Sequence, residues 1–282
     1  GFTTTDVLNG GKIGTVLGFN QGYLQSKGEQ GEVKPLEKLK NSIQGNNDQH
    51  VVVLSVGGND FRVLLHNPVG LLWAIPSVQK RYLEIVDKIQ EINVKVKLML
   101  MFQYQTDAIN DRPYYIHTVL GAVGYFAIIV NGVALGFLLA VSGNLIRGTV
   151  SVSRGLTYVG LTSIASYAFS RVIPLKVTIG MLKGQHAGVT VMGAMMERLY
   201  RPILERAKKD KLQVIDLPNT LNPFYKNYVY CIEPNKVGGE GIAKTIAKAI
   251  KTEANESKLW RGEKEPVSND PKMWRVIYPD RN

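Results

Sequence analysis

One long uncharged stretch constrains the fold of this chain more than any other feature. Residues 113–146 contain no Asp, Glu, Lys or Arg, and His117 is the only side chain among them that can carry a positive charge. About 20 consecutive apolar residues are enough to cross a bilayer as an α-helix. Residues 155–173 are apolar again apart from Arg171. The sequence therefore predicts a transmembrane helical hairpin over residues 114–175.

The turn between the two apolar segments and their small residues fit a hairpin. Arg147 and Arg154 bracket a short polar turn. Glycine and serine recur along both segments, and small residues let two helices pack closely in lipid. The alternative is a pair of buried helices in a soluble core, although apolar runs in soluble helices usually measure only about 10–14 residues.

The sequence on either side of the hairpin alternates between strand and helix patterns. Parallel strands buried on both faces read as short continuous apolar runs, as residues 50–55 do, and residues 94–102 and 212–217 read as two further strands. Apolar residues at helical spacing occur in four places: residues 34–43, 78–91, 193–209 and 239–250. This alternation predicts an α/β fold, a three-layer sandwich with a central parallel sheet.

The hairpin divides the predicted α/β domain into residues 1–113 and 176–251. Residues 252–282 are charged, contain proline and lack helical periodicity, so we expect an extended C-terminal tail. The tail is either a solvated extension or an arm that docks on a partner, since aromatic anchors carry much interface energy. Three aromatic residues are spread along it: Trp260, Trp274 and Tyr278.

Charge and cysteine content narrow the range of partners and cofactors. The formal net charge is +11, which suits an anionic membrane surface or an acidic protein partner. The positive charges are scattered rather than clustered with aromatics, so we expect no nucleic-acid partner. Cys231 is the only cysteine, which excludes an intrachain disulfide and a cysteine metal site. We expect no cofactor and no metal.

Two acidic loops are candidates for polar caps rather than metal sites. Residues 107–111 precede the hairpin and lack the twelve-residue calcium-loop pattern. Residues 216–220 follow a predicted strand and have the composition of an Asp/Asn-capped turn.

Three short motifs carry a family resemblance. A buried strand ends in Gly57-Gly58-Asn59-Asp60, the chain begins with Gly1-Phe2-Thr3-Thr4, and Glu233-Pro234-Asn235 is followed by Gly238-Gly239 at the start of the last helix. In this order and spacing they resemble the third, second and fifth sequence blocks of the SGNH/GDSL hydrolases. The resemblance implies a flavodoxin-like sheet and covers about residues 1–113 and 176–250.

The resemblance also implies which residues occupy the catalytic positions. SGNH hydrolases use a serine nucleophile, a histidine base oriented by an aspartate, and an oxyanion hole. Asn59 and Gly1 match the oxyanion-hole asparagine and glycine, although Asn59 also suits a purely turn-forming role. Glu233 stands at the histidine position and Tyr230 at the aspartate position. We expect the serine block to lie before Gly1, and it is not in this chain.

These replacements favour a non-catalytic protein. In water a carboxylate is a weaker base than an imidazole, so Glu233 is a poor substitute for the histidine. The leading prediction is a membrane-anchored accessory subunit of a membrane complex, with lipid and other subunits as partners. An organellar inner membrane, such as the mitochondrial one, is consistent with this prediction. The alternatives are a membrane-bound serine esterase or lipase whose nucleophile lies upstream of Gly1, and a lipid-binding module.

Overall fold

A computed structural model gives the fold of most of the chain. It describes the following residues: 39–41, 43, 50–56, 68–92, 96–112, 115–224, 228–229, 232–252 and 256–262.

Six short strands lie within the described residues. In chain order they are β1 (Val51–Ser55), β2 (Lys97–Phe102), β3 (Gln213–Asp216), β4 (Tyr228–Val229), β5 (Glu233–Pro234) and β6 (Leu259–Trp260). Four of them form a sheet in the order β1-β2-β3-β6, and every neighbouring pair in it is parallel. The other two, β4 and β5, pair antiparallel. The predicted α/β fold with a parallel sheet is confirmed.

Helices connect the strands. They are α1 (Pro68–Ile92), α2 (Ile116–Ile146), α3 (Val152–Val172), α4 (Leu175–Leu182), α5 (Ala187–Lys209) and α6 (Lys236–Lys251). A single 3-10 turn, Leu217–Asn219, follows β3. Residues 39–41 and 43 are also helical, within the segment predicted as the first helix.

Alternating side chains of the central strands give the molecule three layers. Leu98, Leu100 and Phe102 belong to the core cluster formed with α1, α2 and α5. Met99 on the same strand belongs to a second cluster with α6. Successive strand residues point to opposite faces of a sheet, so helices cover both faces. The ring of Phe102 stacks on Tyr200 of α5 at a centroid distance of 4.0 Å.

Within the segment predicted as an extended C-terminal tail, residues 259–260 form a strand. Trp260 pairs in β6 with Ile215 of β3, and it is 4% exposed. Its indole N–H donates to the side-chain oxygen of Gln213 at 2.8 Å. Residues 259–260 are therefore an edge strand of this chain's own sheet rather than part of an extended arm. Trp274 and Tyr278 lie outside the described residues.

The first third of α2 belongs to the core of the α/β domain. Asp111 accepts hydrogen bonds from the backbone N–H groups of His117 at 2.9 Å and Thr118 at 2.7 Å, so it caps the helix from the preceding loop. This is the cap predicted for residues 107–111. Gly188 of α5 then lies against the backbone of His117, which brings the two helices into close contact. The long apolar helix is thus rooted in the domain and not attached by a flexible linker.

Candidate functional site

Polar side chains meet at the carboxyl edge of the parallel sheet, where α/β proteins usually place binding residues. Ser55 ends β1, and its hydroxyl accepts a hydrogen bond from the side-chain amide of Gln103 at 2.8 Å. Gln103 directly follows β2, and its backbone N–H donates to the hydroxyl of Tyr200 at 2.9 Å. The ends of the two strands are therefore joined by a continuous hydrogen-bonded path into α5.

Glu233 reaches this edge through the small β4–β5 pair. It pairs with Val229, and its side chain is exposed. The neighbouring Tyr228 hydroxyl donates to the carbonyl oxygen of Gln105 at 2.7 Å, and its ring lies 6.1 Å from that of Tyr104. Burial, and secondarily the negative charge of Glu233, raise the pKa of Tyr104 to about 12. The edge therefore presents an exposed carboxylate beside a neutral phenol.

The residues that follow Pro234 in the Glu233 motif form the start of α6. The side-chain oxygen of Asn235 accepts a hydrogen bond from the backbone N–H of Gly238 at 3.1 Å. This is an N-cap bond, which satisfies one of the free donors at a helix start. Asn235 and Gly238 thus have a structural use that requires no catalysis.

Of the residues matched to SGNH catalytic positions, Glu233 alone lies within the described residues. Gly1, Asn59 and Tyr230 lie outside them. Two described histidines have structural partners. The Nε2 atom of His117 lies 3.0 Å from the hydroxyl of Thr106, and Nδ1 of His186 accepts from the backbone N–H of Val189 at 3.3 Å, which caps α5.

The buried carboxylate of Asp216 supports a turn. Asp216 is fully buried, and it accepts hydrogen bonds from the side chains of Asn219 and Arg261, each at 2.8 Å. Thr220 donates to its carbonyl oxygen at 2.8 Å. The turn predicted for residues 216–220 is confirmed, and it ties β3 to the segment after β6. Among the described residues, no group of three or more His, Cys, Asp or Glu side chains could hold a metal ion.

A second candidate site is the apolar surface of α2 and α3, which we call the hairpin. After Ala127, every residue of α2 except Val141 is at least partly exposed. Large apolar side chains on both helices are 44–67% exposed, with Ile146 at the tip 87% exposed. They include Ile129, Val133, Leu135, Phe137 and Leu139 on α2, and Val152, Leu156, Leu161 and Ile164 on α3. Exposed apolar surface of this extent marks a site of protein or membrane interaction.

The two helices of the hairpin pack directly on each other. The side chain of Leu145 occupies the space that a Cβ atom on Gly155 would fill. Nearer the domain, the rings of Phe137 and Tyr158 meet edge to face at 6.3 Å. The hydroxyl of Thr162 donates to the carbonyl oxygen of Tyr158 at 2.8 Å, so this polar group is satisfied within its own helix.

The length of the hairpin matches a bilayer. Residues 128–146 of α2 extend about 28 Å at 1.5 Å per residue, against a hydrocarbon thickness of about 30 Å. Of the described helices, α2 alone is long and apolar enough to span a membrane by length and composition. The first helix of the predicted hairpin therefore meets the requirement for a span, whereas α3 does not meet it.

Comparison with family models, with curated proteins and with solved structures found no match for this chain.

Proposed function

We propose that this chain is a non-catalytic, membrane-anchored protein with an SGNH-hydrolase-like fold, and that it serves as an accessory subunit of a membrane complex. The observation that carries the proposal is the hairpin. Its two apolar helices extend away from the α/β domain, and no other described part of the chain covers their exposed apolar side chains.

A bilayer suits this surface better than a protein groove. Exposed apolar side chains lie around α2 on several faces, as Ile129, Leu135 and Phe137 illustrate with exposures of 62%, 59% and 44%. A helix that docks in a groove needs only one apolar stripe. A helix that is apolar all round is instead typical of a deeply buried core or of lipid.

The polar edge of the sheet supports a role without hydrolysis. Glu233 occupies the position where the family resemblance expects a histidine, and it is exposed to water. Tyr104 beside it holds its proton over the physiological range, because its pKa is about 12. A phenol that keeps its proton is not a ready general base at neutral pH, because the ideal pKa of a general base lies near the working pH.

The membrane anchor can be tested by placing a charge at two depths of the hairpin. Leu139→Lys puts an ammonium group near the middle of residues 128–146, where insertion costs about 3 kcal/mol. Ile146→Lys is the matched control, because this side chain is also exposed but lies at the tip next to Arg147. We expect Leu139→Lys to lose resistance to alkaline carbonate extraction and Ile146→Lys to keep it. Equal behaviour of the two variants would argue against a spanning hairpin.

The accessory role can be tested in the native membrane. We expect mild detergent to release the chain in a large species that contains several other proteins, with a fractionation profile that identifies the membrane, including the proposed inner mitochondrial one. A small species that reacts with a fluorophosphonate serine probe and contains upstream Gly-Asp-Ser peptides would instead establish an esterase. Copurified lipid without partner proteins would point to a lipid-binding module.

A further inference from the structure

The short helix α4 exposes an apolar stripe directly after the hairpin. Leu175, Ile179 and Leu182 lie at positions i, i+4 and i+7, and their exposures are 54%, 44% and 71%. Residues at this spacing share one helix face. The opposite face is packed, since Val177 is 1% exposed. The stripe is therefore an outward-facing apolar surface on a helix whose opposite face packs against the protein.

Contacts with α2 fix the position of this stripe. Met181 lies where a Cβ atom on Gly124 would fall, at 2.7 Å from that position. Thr178 accepts a hydrogen bond from the side-chain amide of Asn131 at 2.9 Å. These two contacts lie on either side of Ala127, after which α2 is no longer covered by the domain. The helix α4 thus lies at the root of the hairpin, where the chain leaves the domain.

Ion pairs and a left-handed glycine hold α4 at both ends. Near its start, Lys176 forms an ion pair with the buried carboxylate of Glu197, which also binds Arg201 at 2.5 Å. At its end, Gly184 adopts a φ of 82°, a backbone conformation that favours glycine and commonly ends helices. The orientation of the stripe is therefore fixed before any partner binds.

We infer that the exposed stripe of α4 rests in the interfacial layer of the bilayer and that Lys183, directly after this helix, binds anionic phospholipid headgroups. This inference rests on the proposed membrane anchor and adds to it a specific contact surface and lipid class. An interfacial helix combines an apolar face with basic residues at its polar margin. Residues 174–186 contain Lys176 and Lys183 and no acidic residue, and Lys183 is exposed.

The stripe of α4 directly follows the hairpin in the chain, which favours lipid rather than a protein as the partner that covers the stripe. The chain passes from α3 to α4 through Ile173 and Pro174, so the stripe begins directly after the second helix of the hairpin. Any bilayer around the hairpin must end near its root. An apolar stripe at that level meets the acyl-headgroup boundary, while a nearby lysine reaches the headgroups.

The contact can be measured with an environment-sensitive fluorophore at single cysteines in the full-length chain. The native cysteine is first replaced by Cys231→Ser. The test site is Leu182→Cys, the hairpin reference is Leu139→Cys, and the aqueous control is Lys244→Cys on α6, which covers the opposite face of the sheet. Each labelled protein is reconstituted into vesicles of phosphatidylcholine with about 30% phosphatidylserine, and quenching by bilayer-resident doxyl lipid is recorded.

We expect quenching at residues 139 and 182 and none at residue 244. Quenching at residue 139 without quenching at residue 182 would overturn the interfacial contact and leave the membrane anchor standing. Absence of quenching at residue 139 would overturn the anchor, and with it the inference that rests on it.

The lipid class has its own test. A lysine near an anionic surface contributes about a fivefold change in binding equilibrium. We expect Lys183→Gln to lower the ratio of quenched to unquenched label at residue 182 about fivefold in phosphatidylserine vesicles and to leave it unchanged in pure phosphatidylcholine. The matched control, Lys244→Gln, should have no effect in either. An equal response of the two variants, or one independent of phosphatidylserine, would overturn recognition of anionic headgroups.

Discussion

A single methyl group added at Gly188 should weaken the packing of α2 against α5. A Cβ atom there would meet the carbonyl oxygen of His117 and would lie 2.7 Å from its Cα atom. An ordinary carbon–carbon contact is at least about 3.5 Å. Because the obstacle is backbone rather than a movable side chain, the two helices must separate by nearly 1 Å.

The size of this effect follows from overpacking, which typically costs about 1–3 kcal/mol. Alanine has a better helix propensity than glycine, by about 1 kcal/mol, but Gly188 lies in the first turn of α5, where this gain is small. We therefore expect Gly188→Ala to lower the free energy of unfolding by about 2 kcal/mol. The same crossing provides a control at Gly121, where a Cβ atom would make only an ordinary 3.6 Å contact with Ala187.

Urea unfolding in a mild nonionic detergent, followed by circular dichroism, compares the two variants. Gly121→Ala should be as stable as the wild type or more stable by up to about 1 kcal/mol. If Gly188→Ala is as stable as Gly121→Ala, the close approach of the two helix backbones is wrong, and with it the rooting of the hairpin in the core.

Three further predictions concern the cap, the edge strand and the polar edge. Asp111→Ala should lower the free energy of unfolding by about 1 kcal/mol because α2 loses its cap, whereas Asp111→Asn should keep most of the stability that the cap provides. Trp260→Ala should cost about 3 kcal/mol because a buried ring and its bond to Gln213 are lost, and hydrogen exchange should rise in β3. The neutral Tyr104 hydroxyl contributes stability that is complete below pH 10 and is lost as the pH rises towards its pKa of about 12. Removing the nearby negative charge by Glu233→Gln should lower the pKa of Tyr104. A tyrosinate absorbance titration measures this change after subtraction of the Tyr104→Phe variant.

The central strands were predictable because their signal is local. Strands β1, β2 and β3 fall within the three predicted strand segments, which are mainly apolar because helices cover both faces of the sheet. The starts of two helices were harder to predict. The first described long helix begins at Pro68 rather than near residue 78, and α5 begins at Ala187 rather than at residue 193. Internal prolines and glycines weaken the helical pattern there, but tertiary packing overrides their low propensity.

The edge strand β6 could not be predicted from local pattern. It is only two residues long, and it exists because Trp260 finds Gln213, 47 residues earlier in the chain. The nearby ion pair between Arg261 and Asp216 is equally non-local. Sequence analysis placed Trp260 in a tail that was either a solvated extension or an arm docking on a partner, and neither alternative placed it in this chain's own sheet.

The start of α2 is part of the core of the α/β domain, so the hairpin is not a separate insertion. The predicted boundary at residue 114 treats the hairpin as independent of the α/β domain, whereas Ile116 and Ala127 of α2 lie in the main core cluster. The loop between β2 and α2 connects both candidate sites, because Tyr104 lies beside Glu233 while Thr106 contacts His117 in the first turn of α2. The described contacts of this loop therefore link the polar edge of the sheet to the part of α2 that lies in the core. The proposed membrane anchor therefore predicts that a partner bound at the polar edge would lie near the root of the hairpin.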